Sequence, residues 1–71
     1  MMVKTEINSR SIKSIAYDAE KKVMEVEFTS TMIYIYNNFP EDLYNRLIES
    51  KAIDKFFVSN VVNRYAYIRT K

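Results

Sequence analysis

Between Val23 and Tyr36 the chain reads VMEVEFTSTMIYIY, and this stretch limits the possible folds more than any other. From Met24 to Phe28 apolar residues alternate with Glu25 and Glu27. A strand resolves that alternation into two faces, because successive side chains point to opposite sides. Met24, Val26 and Phe28 then form the core row, and Val23, Glu25, Glu27 and Thr29 the outer one. Thr29-Ser30-Thr31 is a short polar break. The run after it places Met32, Tyr34 and Tyr36 in one row and Ile33 and Ile35 in the other, so neither face is polar and the strand is expected to be covered on both sides. Two antiparallel strands joined by a tight turn follow.

The flanking residues extend this unit. Residues 5–8 read as an extended lead-in and 9–11 as a polar break. A strand over 13–17 then puts Ile15 and Tyr17 on the core side, and Asp18 to Lys22 form a charged turn in which Asp18 bonds its own backbone. Connections this short permit only antiparallel neighbours, so strands at about 13–17, 23–29 and 32–37 make a meander. Pro40, the only proline, suits the first position of a helix over 40–49, with Glu41 and Asp42 favoured by the dipole in its first turn. Leu43, Tyr44, Leu47 and Ile48 give that helix an apolar face to bury against the meander. Asp54 is placed to cap a shorter helix over 54–62, with Phe56, Phe57, Asn60 and Val61 as its face. Residues 64–69 alternate again and read as a terminal strand. The expected class is α+β, one small antiparallel meander with two helices, and residues 1–71 form a single domain.

Composition narrows the chemistry. At 71 residues the core of such a domain leaves only ~3–5 kcal/mol of net stability. No cysteine and no histidine are present, which removes disulfides, thiolate metal sites and the usual general base. Ser9, Ser11, Ser14 and Ser30 therefore have no histidine to activate them. Glu25 and Glu27 sit at i, i+2 on the outer strand face, where solvated charge is what the pattern calls for. An enzyme is not expected, nor a metal or small-molecule cofactor. Glycine is also absent, which excludes glycine-rich phosphate loops and passes turn duty to Asn and Asp. Asp18, Asn37 and Asn38 are the turn candidates, and Asn63 is placed to end the last helix. No apolar run approaches the ~20 residues needed to span a bilayer, and the segment MMVKTEINSR lacks an apolar core of signal-peptide length. A cytoplasmic protein with no membrane partner is expected.

The order of elements resembles the KTSC domain, a small module named after the C-terminus of certain lysyl-tRNA synthetases and also found as a stand-alone bacterial protein. The resemblance rests on Ser11-x-x-x-Ile15-x-Tyr17-Asp18, Met24-x-Val26-x-Phe28, Tyr34-x-Tyr36, Phe39-Pro40, Tyr44, Phe56-Phe57 and Tyr65-x-Tyr67. It covers the chain from about Ile7 to Tyr67. The family usually carries Ser-Gly where this chain has Ser30-Thr31, and Ser-Lys-Gly where it has Ser50-Lys51-Ala52. The synthetase context implies RNA as a ligand.

The residues that would serve an RNA ligand are rings that stack on bases beside cations that meet phosphates. Tyr34, Tyr36, Tyr65 and Tyr67 are spaced as two pairs, each on one strand face. Lys13, Lys55, Arg64, Arg69 and Lys71 are the accompanying cations, with Arg64 and Arg69 best suited to grip phosphate bidentately. A half-buried packing role competes for every ring, most strongly for Tyr34 and Tyr36 in the central strand. A net charge of +2 does not favour nucleic acid unless the cations cluster. The alternative is a protein-interaction module in which the first or terminal strand offers an exposed edge to another chain or to itself.

Overall fold

The computed structural model describes residues 1–70; Lys71, one of the expected cations, lies outside them. Seven elements follow in order: β1 (Val3–Glu6), β2 (Ile12–Asp18), β3 (Val23–Phe28), β4 (Ile33–Tyr36), α1 (Glu41–Glu49), α2 (Ile53–Asn60) and β5 (Ile68–Arg69). The five strands form one sheet in sequence order, every neighbouring pair antiparallel. The expected α+β meander is present, extended at each edge. β1 is an added strand that the sequence suggested only as a lead-in: its residues are VKTE, with three of the four exposed, so it carries no apolar row to betray it.

The inner face is the one anticipated. Met24 pairs with Tyr17 and Tyr36, and Val26 with Ile15 and Tyr34, and these rows meet Tyr44 and Leu47 of α1 and Phe57 of α2 in one core. Ile12 and Ile15, three residues apart, would face opposite ways in a regular strand. A register shift between Ile12 and Ser14 lets both enter the core. Phe28 is only half-buried, held edge-on between Tyr34 and Phe57.

β4 departs from expectation. Ile33 and Ile35 are half-buried rather than covered, because both helices lie on the other face and the outer row continues to Ile68, which is 57% exposed. Two helix starts also shift. Pro40 is the N-cap, with ψ 138°, rather than the first helical residue. Ala52 caps α2, and Asp54 is its second residue without a capping bond.

Turns without glycine are made by Lys22, Thr31, Asn38 and Asn63, all at positive φ between 55° and 75°. Asn38 and Asn63 fit the side-chain chemistry that tolerates this region; Lys22 and Thr31 were not foreseen. At Thr31 the geometry is that of a three-residue hairpin loop, a turn closed by Thr31 N–H on Phe28 O (2.9 Å) with Phe28 N–H on Met32 O (2.9 Å). After Asn63, residues 64–67 leave the strand conformation, and β5 is confined to Ile68–Arg69. The turn that closes α2, with Arg64 and Tyr65 N–H both on Val61 O, consumes the residues expected to begin that strand.

Candidate functional site

A cleft of about 380 Å³ opens between β4 and α2. Phe28 and Tyr34 supply it from the sheet, Phe57 and Val58 from α2, and Tyr67 from the segment that returns to β5. The periodicity of α2 explains its half. Asp54, Phe57 and Val58 recur on one side of the helix, whereas Lys55, Phe56, Ser59 and Asn60 line a separate depression on the other.

The rings in the cleft are ordered. Tyr67 lies flat on Tyr34, with centroids 4.1 Å apart and planes 7° from parallel. Phe28 meets Tyr34 edge-on at 4.9 Å and Phe57 at 5.8 Å, and Tyr36 meets Phe57 at 6.1 Å and 84°. Tyr36, 1% exposed, and Phe57 form the floor, while Tyr67, 50% exposed, forms an outer wall. Burial pushes the Tyr36 hydroxyl up to about 12, with the nearby Tyr34 and Tyr67 adding to the effect. Tyr34 is also raised, first by the neighbouring Tyr67 hydroxyl and then by burial, with Arg69 opposing.

Asp54 enters from the start of α2. Its Oδ1 lies 3.1 Å from the Ser9 hydroxyl, which is also 3.1 Å from Ile12 O and accepts Ile12 N–H at 2.9 Å. One hydroxyl proton thus serves two acceptors.

Of the residues expected to act together, Tyr34, Tyr36 and Tyr67 converge. Tyr65 does not join them: it packs on Phe39, centroids 5.0 Å apart, because residues 64–67 are not a strand and their side chains do not alternate. Lys13 reaches Glu27 at 3.9 Å on the outer face of the sheet. Lys55 stands on the far side of α2. Arg64 flanks Tyr67 in a shallow surface formed by residues 63–67, and Arg69 lies across from Tyr34 in the β4–β5 register. The four cations therefore do not form one stripe. The sequence reading treated Phe28 and Phe57 purely as core and overlooked Asp54 and Asn63 as lining residues. The available signal was the surplus of apolar positions on α2 and just beyond it, where Val58 and Val62 stay exposed at 63% and 37%. Among the described residues no group of three or more His, Cys, Asp or Glu side chains is placed to hold a metal ion, and no helix is long and apolar enough to cross a membrane.

The KTSC domain family model matches residues 8–65, which span everything from the end of β1 to Tyr65. The chain belongs to the KTSC domain family. A relative described as an uncharacterized protein, from Stutzerimonas stutzeri strain A1501, is 32% identical over 56 residues, 79% of each chain. The crystal structure of a KTSC domain protein from Yersinia pestis superposes over 100% of both chains with a TM-score of 0.93 at 21% identity, a likeness of fold. In this KTSC chain the Tyr34-x-Tyr36 pair lies against the cleft, and Tyr65-x-Tyr67 is divided between the core and the cleft wall.

Proposed function

We propose that this KTSC domain is a non-enzymatic binding module whose cleft between β4 and α2 receives a segment of a partner protein. The observation that carries the reading is the cleft's charge: among the described residues, Asp54 is the one charged residue in its lining. Nucleic acid draws much of its affinity from phosphates meeting Lys and Arg, and Lys13 and Lys55 stand on other faces. A concave apolar surface with a few polar groups suits a peptide side chain or backbone. The test is affinity capture from the host, analysed for protein and RNA together, with Val58→Glu as the variant that blocks the cleft. Partners retained after ribonuclease treatment and lost with Val58→Glu support the reading; RNA retained instead removes it.

Single-stranded RNA is the second reading, favoured by the half-exposed Tyr67 ring with Arg64 and Arg69 close in sequence. Each stacked base contributes ~1–3 kcal/mol. It requires that fluorescent single-stranded RNA or tRNA bind at low salt, weaken steeply as salt rises, and be released by Arg64→Ala with Arg69→Ala. The protein reading also has an edge-pairing form. The strand at 13–17, expected to offer the first edge, is covered by β1, which itself has a strand neighbour on one side only, so another chain or a second copy can add there; light scattering at high concentration reads self-pairing.

A further inference from the structure

We infer that the cleft takes the ammonium end of a lysine side chain from the partner, with Asp54 as counter-ion and Tyr34, Tyr67 and Phe28 as walls. The inference rests on the reading of this cleft as a protein-binding site and names the group that is bound. Its first support is the arrangement of rings. Tyr34, Tyr67 and Phe28 all line the cleft; Tyr67 covers one face of Tyr34, and Phe28 packs edge to face with Tyr34 and Phe57. A cation within about 6 Å of a ring centroid is attracted to the π face, and Tyr67, half-exposed, keeps part of its ring open to such a contact. Phe56, on the opposite side of α2, already carries the Arg46 guanidinium 5.7 Å from its centroid, a contact of the same kind supplied within the chain.

The second support is charge. The ion pairs among the described residues are Met1 with Asp18 and Lys13 with Glu27. Asp54 is in neither, and its contact is the shared hydroxyl of Ser9. A carboxylate beside aromatic walls, with no basic residue among the described residues of the lining, is complementary to a cation and repels an anion. Arg69 lies across from Tyr34 on β5 but does not line the cleft. The third support is size: about 380 Å³ corresponds to on the order of ten waters, which admits one long side chain and not a folded element.

The inference is tested by titrating the full chain, ¹⁵N-labelled, with Nα-acetyl-lysine methylamide and separately with its neutral norleucine counterpart. The lysine probe is expected to shift the amides of Asp54, Phe57, Val58 and Tyr67 with millimolar affinity. The norleucine probe is expected to bind about tenfold more weakly, and Asp54→Asn to weaken the lysine probe by about the same factor, as for loss of one charge-assisted contact. The wild-type comparison of the two probes decides the matter even if the variant fails to fold. Equal binding of both probes overturns the lysine assignment and leaves the protein-segment reading in place. Absence of shifts with both overturns the assignment as well. Oligouridine shifting these amides while the lysine probe leaves them unmoved overturns both the assignment and the reading beneath it.

Discussion

The hydroxyl of Tyr17, on β2, donates to the backbone carbonyl of Phe39, the residue before Pro40. The Tyr17 ring also stacks on Tyr44 of α1, with centroids 4.4 Å apart and planes 12° from parallel. Together they fasten the loop that enters α1 to the sheet. Phe39 is fully buried, so its carbonyl has little recourse to water. Tyr17→Phe keeps the stack and deletes the donor, and should cost about 1–3 kcal/mol, the penalty of a buried acceptor left unpaired. A lowered urea midpoint with an unchanged m-value checks it; an unchanged midpoint refutes it.

Thr31 occupies the left-handed region at φ 75°. A β-branched residue there is disfavoured by roughly 1–2 kcal/mol, more than the roughly 0.5–1 kcal/mol of extra chain entropy that glycine loses on ordering. Thr31→Gly should therefore raise the melting temperature. Thermal unfolding followed by circular dichroism measures it, and a lower melting temperature contradicts the strain assigned to this position.

Acid should destabilise the domain partly through Asp18. The Lys21 N–H holds its carboxyl below the usual range, burial opposes, and the Met1 amine and the Glu20 N–H reinforce the lowering. A folded value below the unfolded one means that this contribution is present above the ordinary carboxylate range and is lost as pH falls through the folded value. Asp18→Asn should flatten the acid side of a stability profile, and an identical acid slope in the variant argues against the role.

At the alkaline end the sign reverses. Tyr36 is pushed up to about 12 by burial, and then by Tyr34 and Tyr67. Its folded value exceeds the unfolded one, so its contribution is whole below the ordinary tyrosine range and fades as pH climbs from there through the folded value. An absorbance titration should show a tyrosine that ionises late or only with unfolding, and Tyr36→Phe should remove that late step.

Period-two alternation made the inner face readable: Met24, Val26, Tyr17 and Tyr36 are where their spacing puts them. The α1 face was equally legible, since Tyr44 and Leu47 recur at helical spacing and are buried. β1 was not, because an exposed edge strand needs no apolar pattern. The stretch 64–67 misled for the opposite reason: Tyr65-Ala66-Tyr67 alternates, yet the turn after Asn63 separates the two rings onto Phe39 and Tyr34. The cleft escaped because its residues come from distant parts of the chain, Phe28, Asp54 and Tyr67 among them, and share no local spacing. Asp54 read as a helix cap, a role that the entry of the chain at Ala52 takes away.

Tyr67, the outer wall of the cleft, precedes a strand of two residues tethered to β4 by its short ladder and by Thr70 N–H on Ile33 O at 2.9 Å. A two-residue strand at the sheet edge opens at lower free energy than the buried strands. Filling the cleft and clamping the tail are thus one thermodynamic event: an occupant that presses on Tyr67 slows amide exchange at residues 68–70, and peeling the tail away lets the occupant go.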